Sequence, residues 1–260
     1  MLLMFPVYAI AVELTGQLTQ GSMIVGKTQP GTQVFLDDKP LKVSPEGNFV
    51  FGFGRDAELL HQLKWQEPNQ TIQQQNIVLT QREYDVQRIE GLPPKMVTPD
   101  PAVTARIRED NRKVGAARKI DDDRNDFAMP FIWAAKGRIS GVYGSQRVLN
   151  GQPKRPHFGV DVAGAIGTPV VAPADGIVTL WEPDMYYSGG TMLIDHGHGI
   201  SSSFLHLSKS HVKQGQKVKQ GELVAEIGNT GRVTGPHLDW RINWFKERLD
   251  PALLLPAQAE

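Results

Sequence analysis

The chain contains no cysteine. That excludes disulfides, thiolate metal sites and a thiol nucleophile, and it leaves histidine and carboxylates as the available metal ligands. It also lacks a charge of one sign, since Lys+Arg and Asp+Glu each total 28. Without a basic excess there is no electrostatic footprint for nucleic acid. No apolar run approaches the ~20 residues that span a bilayer, so no membrane span is expected. What is present is a globular composition, 40% apolar and 22% charged over 260 residues. That is long enough for one large or two small domains, each with its own core.

The start, Met1 to Ala11, is a short apolar run ending in Ala9-Ile-Ala11. The small-x-small ending reads as a secretion signal over residues 1–11, although the basic n-region is missing; the other reading is a first buried strand. Residues 12–90 read as a small β-sandwich, immunoglobulin-like in spacing. Leu18 to Val25, Thr32 to Leu36, Asn48 to Phe53 and Thr71 to Leu79 carry the strand pattern, broken by turns such as Gln29-Pro-Gly31 and Pro45-Glu-Gly47. His61 stands alone there and no catalytic cluster accompanies it.

Gly91-Leu-Pro-Pro94 and Thr98-Pro-Asp-Pro101 interrupt the chain, with Asp100 as N-cap and Pro101 as first helical residue of a linker helix. Val103, Ile107 and Val114 share one face of it, and the charged remainder up to Asp126 predicts a spacer exposed on most sides. Residues 91–128 are therefore read as a Pro-rich and helical linker. From 129 to 256 the texture is β again: Pro169 to Val171, Gly176 to Trp181, Thr191 to Asp195, Ser201 to Leu205, Leu223 to Ile227 and Leu238 to Trp244, separated by Gly-rich turns. The expected fold class is mainly β, with an N-terminal sandwich, a linker helix and a C-terminal antiparallel sheet domain.

Two segments in that last region carry chemistry: His157-Phe-Gly-Val-Asp161 and His237-Leu-Asp239, with His206 between them. On strands, residues two or four apart share a face. Zinc takes roughly four ligands at about 2.0–2.2 Å for nitrogen and oxygen donors, and a catalytic site leaves one position to water. His157, Asp161 and Asp239 with one water fit that rule. His206 and His237 are then left as proton-transfer or oxyanion-stabilising groups.

Residues 137–251 resemble the lysostaphin/LytM-type zinc metallopeptidases that cut peptidoglycan peptides. Gly141-Val-Tyr-Gly144, His157-x-Gly-x-Asp161, Gly167-Thr-Pro-Val to Gly176, Ile194-Asp-His-Gly197, Leu205-His-Leu-Ser208, Gly228-Asn-Thr-Gly231 and Gly235-Pro-His-Leu238 follow the family order. The resemblance implies one Zn2+ per chain, held by His157 and Asp161, and His206 and His237 as catalytic histidines that orient water and stabilise the tetrahedral intermediate. The family expects His-x-His at the last block, and Asp239 stands in place of the second histidine. A carboxylate oxygen lies as many bonds from the backbone as Nδ1 of histidine, so Asp239 can reach the same point. The resulting site is harder and more open to manganese. The other reading of Asp239 is a salt bridge with Arg241 and no metal.

The expected function is a zinc endopeptidase acting on peptidoglycan peptides, periplasmic or secreted. The N-terminal domain would position it, cover its groove or bind a cell-wall or divisome partner. The alternative is a metal-free, non-catalytic homologue that regulates another cell-wall hydrolase. A third reading, a lipoyl-type carrier suggested by Val212 to Ala225, lacks the modified lysine such a hairpin needs. Among the remaining histidines, His196, His198 and His211 are read as structural, with His198 nearest the groove. Tyr186, Tyr187 and the Arg147–Arg155 loop are read as groove walls.

Overall fold

The structure is a computed structural model that describes residues 12–90 and 101–256. The 1–11 segment, the breaks at Gly91–Pro94 and Thr98–Asp100, and the Asp100 cap lie outside the described residues.

The N-terminal half is two small antiparallel sheets. One orders β1 (Glu13–Thr15), β2 (Met23–Lys27) and β5 (Asn48–Gly52). The other orders β4 (Lys39–Leu41), β3 (Gln33–Leu36), β6 (Leu60–Gln66) and β7 (Gln73–Val78). Their facing sides meet in a core of Ile24, Val34, Phe49, Phe51, Leu63, Trp65 and Ile77. Strand β6, with His61 in it, carries no strong apolar alternation and was not among the expected strands. Leu18 to Ser22, read as part of a strand, is a turn in which the Ser22 hydroxyl donates to the Thr19 carbonyl.

Strand alternation lets the first sheet serve two cores. Phe49 and Phe51 face the sandwich, while Val50 points the other way and joins Met23 in the large C-terminal core beside Leu249. Burying both faces explains the apolar run Phe49-Val-Phe51.

Helix α1 (Thr104–Ala117) follows a 3-10 turn at Pro101–Val103. Arg106, Arg108, Glu109 and Arg112 are exposed, as the sequence predicts, but it is not a free spacer. Val114 and Ala117 pack against Leu180, Met185 and Leu193, and Lys113 pairs with Glu182.

The C-terminal half is built on one sheet with the path β17 (Lys217–Val218), β14 (Gly176–Met185), β15 (Gly189–Asp195), β16 (Ile200–Ser210), β19 (His237–Trp244), β12 (Val160–Ala163) and β9 (Ile139–Gly141). Three further strands attach to it: β13 (Pro169–Val171), β18 (Leu223–Ile227) and β20 (Glu247–Leu249). Trp240, Phe204, Ile194 and Leu238 line the core face. A separate small sheet pairs β8 (Val86–Ile89) in parallel with β10 (Gln146–Leu149), which forms a hairpin with β11 (Gln152–Pro153). The Arg147–Arg155 loop is thus tied to the end of the N-terminal half.

Candidate active site

The expected site residues sit on the sheet face opposite Trp240. Antiparallel pairing sets Asp161 of β12 directly across from Asp239 of β19, and Leu205 of β16 across from Asp239 on the other side. His237 is two residues before Asp239 and projects from the same face. His157 precedes β12, and its backbone is held by Gly144 and Ser145: Gly144 N–H donates to its carbonyl and its own N–H donates to Ser145, both at 2.8 Å. The Gly141–Gly144 turn therefore fixes where His157 stands.

Two glycines are set by close approach. A Cβ on Gly141 would lie 2.2 Å from Asp161 Oδ2. One on Gly159 would lie 2.5 Å from the Trp240 carbonyl oxygen and 2.8 Å from Asp239 Oδ1. Only glycine at 159 lets the strands come near enough for His157, Asp161 and Asp239 to converge.

They do converge. One ligand atom from each of His157, Asp161 and Asp239 lies within 4.8 Å of the other two. His157 Nε2 is 3.2 Å from Asp161 Oδ1, and His237 Nε2 is 3.9 Å from the same oxygen. His157 Nε2 and Asp161 Oδ1 are buried and have no hydrogen-bond partner. Buried polar atoms are rarely left so, and a cation would satisfy both. Burial pushes His157 down, but the Asp161 and Asp239 carboxylates outweigh it and hold the ring above its ordinary value.

Asp239 is 3% exposed and is gripped by Arg241 through both oxygens, Nε to Oδ1 at 2.8 Å and Nη2 to Oδ2. Burial pushes its carboxyl up, yet the guanidinium overrides this and holds it well below the usual range. The salt bridge weighed from the sequence is therefore present. It does not exhaust Asp239, because an ionised carboxylate has about four lone-pair sites and Arg241 takes two.

His206 and His237 stand together beside this cluster, ring centroids 4.9 Å apart. His206 Nδ1 is 2.9 Å from the Thr230 carbonyl and His237 Nδ1 is 2.8 Å from the Gly235 carbonyl. A carbonyl only accepts, so each Nδ1 carries a proton and each Nε2 is turned away from that contact. Burial holds His206 below its ordinary value, and so neutral. His206 has φ +66°, in the left-handed region that a histidine adopts at a cost. It sits where the β15–β16 register shifts between Gly190 and Met192, and its N–H donates to the Ser188 carbonyl at 2.8 Å. A bulge of this kind re-aims a side chain. Alternation along β16 alone did not predict it.

The remaining histidines lie elsewhere. His196 bonds the Asp175 carbonyl and the Ser202 hydroxyl, and His211 pairs with Glu226. His198, expected nearest the groove, instead packs on Phe127, and its N–H donates to the Asp122 carbonyl. Tyr186 and Tyr187 pack on each other, Arg232 lies over the Tyr187 ring, and α1 reaches the same loop through Asp110, which accepts from the Tyr186 N–H. Arg118, just past α1, donates to the Ser203 hydroxyl at 3.0 Å. This contact across 85 residues had no sequence signal.

Residues 155–251 match peptidase family M23. Peptidoglycan DD-endopeptidase ShyA of Vibrio cholerae is 44% identical over 110 residues, 42% of this chain and 25% of that protein. Cell division protein DipM of Caulobacter vibrioides is 31% identical over 166 residues, 62% of this chain and 26% of that protein. The chain thus matches about a quarter of the length of these relatives. A crystal structure from Pseudomonas aeruginosa, described as that of an M23 peptidase by assignment, is 27% identical with a TM-score of 0.69, over 92% of this chain and 95% of that one. The matched segment contains all five candidate site residues, and residues 155–251 are a domain of the peptidase family M23 type.

Proposed function

We propose that the chain is a zinc-dependent endopeptidase that hydrolyses amide bonds in the peptide part of peptidoglycan. The observation that carries this reading is the convergence of His157, Asp161 and Asp239 beside His206 and His237, whose Nδ1 atoms are both held by backbone carbonyls. His157 Nε2, Asp161 Oδ1 and an Asp239 oxygen would hold the ion, one per chain. Bound there, zinc supplies Lewis acidity and an acidified water.

The chain's own groups supply the rest. His237 Nε2, closest to Asp161, is placed to take a proton from the attacking water. His206, fixed by Thr230 and the bulge, is placed to hold the oxyanion side or pass a proton to the leaving amine. Arg241 keeps the Asp239 carboxylate in one orientation, as a hydrogen-bonding partner behind a metal ligand does. Residues 129–256 would form the peptidase domain, 12–90 an N-terminal domain packed on it that positions it or binds a cell-wall or divisome protein, and 91–128 the connection. The working place would be the periplasm or cell exterior, where the peptidoglycan substrate of this reading lies.

The grip of Arg241 on both Asp239 oxygens favours one second reading, a metal-free regulator of another hydrolase. Zinc per chain decides between them, measured by elemental analysis on protein purified without chelator, followed by digestion of purified peptidoglycan. About one zinc, lost in Asp239→Ala, with release of peptide fragments, supports the endopeptidase. No zinc after dialysis against zinc, and no fragments, overturns it.

A further inference from the structure

Along the site face, Asp239 is followed on β19 by Arg241 and Asn243. Register places Ser203 of β16 beside Arg241, and Arg248 of β20 beside Asn243. Arg118 reaches this strip from the end of α1 and donates to Ser203. On the other flank, Arg155 and Arg248 both lie over the Phe158 ring, at 5.7 and 5.9 Å from its centroid. Four guanidiniums thus gather on the Asp239 side of the cluster.

Only one of the four is neutralised. Arg241 pairs with Asp239, whereas among the described residues no ion pair involves Arg118, Arg155 or Arg248. Arg118 Nε is buried and has no hydrogen-bond partner. Burial and the charges of Arg248, Arg241 and Arg155 push Arg118 well below its ordinary value, and burial with Arg241 and Arg155 pushes Arg248 down to about 10. The groups repel one another. Strained accumulations of this kind are held for a ligand that relieves them.

We propose that Arg118, Arg155 and Arg248, with Arg241, form a carboxylate-binding subsite beside the candidate metal centre, which takes a free carboxylate of the peptide being cut. The planar fork of arginine matches a carboxylate with two parallel hydrogen bonds. Arg241 already shows that pairing with Asp239 on the same strip. A substrate carboxylate paired with Arg118 and Arg248 would hold the adjoining peptide toward His206 and the cluster at Asp161. Arg155, exposed at the rim, would draw the anion in.

This subsite rests on the peptidase reading for the identity of the ligand, but its charge preference is measured apart from cleavage. The probes are cross-linked peptide dimers isolated from peptidoglycan, with carboxylates free or converted to primary amides. Binding is measured by calorimetry on the chelator-treated wild type, Arg118→Gln and Arg155→Gln, with folding checked by circular dichroism. Cleavage of the same dimers is followed after zinc loading. The free dimer should bind about 10–100-fold more tightly than the amide. That preference should shrink at least tenfold in Arg118→Gln and less in the exposed Arg155→Gln, and the loss in cleavage should fall on KM rather than kcat. Carboxylate-dependent binding without any cleavage would keep the subsite and sink the peptidase reading. Equal binding of both dimers by the wild type, or an undiminished preference in both variants, would overturn the subsite whether or not cleavage occurs.

Discussion

Breaking the Asp239–Arg241 pair should cost stability and metal in separable ways. Asp239 is 3% exposed, and the Arg241 side chain is 22% exposed, joined through two hydrogen bonds. Removing one member of a buried pair costs about 3–5 kcal/mol, because the other charge stays buried without its partner. The partial exposure of Arg241 places the expectation near the low end, about 3 kcal/mol for Asp239→Asn or Arg241→Met. The double variant should cost little more than either single one, giving a coupling of about 2–3 kcal/mol. Urea unfolding in chelator isolates this, since bound metal would add its own stabilisation. After zinc loading, Arg241→Met should retain close to one ion per chain and Asp239→Asn should lose it. Additive single costs would refute the coupling. A full zinc complement in Asp239→Asn, held as tightly as in wild type, would refute the ligand role.

Three further outcomes follow from single groups. His206→Ala and His237→Ala should each abolish peptidoglycan hydrolysis while leaving the circular dichroism spectrum unchanged; full activity in either variant sinks the assigned roles. His196, fully buried, is pushed down to about 4 by burial, against about 6.5 for an unperturbed histidine. Between these values the unfolded chain binds a proton that the folded one does not. Stability is therefore full above pH 6.5 and falls by about 3 kcal/mol as pH drops to 4; an NMR titration of His196 with a midpoint near 6.5 would contradict this. Gly159→Ala puts a methyl 2.6 Å from Arg241 Cγ, which should cost about 1–3 kcal/mol; a wild-type urea midpoint would show that the strands have room to move.

Part of the candidate cluster was legible because its relations are local. A spacing of two on a strand puts His237 and Asp239 on one face whatever the rest of the fold does, whereas the register that sets Asp161 across from Asp239 is a contact between distant segments. The strand pattern between 169 and 244 was legible for the same reason. What the residues could not show was anything settled by distant contacts. The bulge that turns His206 depends on the partner register at Gly190 and on the Ser188 carbonyl. Arg118 lies in a charged stretch that reads as solvated, and only docking of α1 through Val114 and Ala117 brings it to Ser203. The double use of β5 was hidden in an apolar triplet, Phe49-Val-Phe51, that suits any buried strand.

These nonlocal contacts bear on the one departure from the family pattern. An imidazole at 239 would be neutral, and Arg241 behind it would then have no carboxylate at that position. The strip holds Arg118, Arg241 and Arg248 within mutual electrostatic reach, and a divalent cation adds two more positive charges. Aspartate at 239 offsets part of that sum and gives Arg241 a buried partner, so the residue at 239 and the guanidiniums around it are one electrostatic unit. The carboxylate answers Arg241, and among the described residues Arg118 and Arg248 are left without an ion pair.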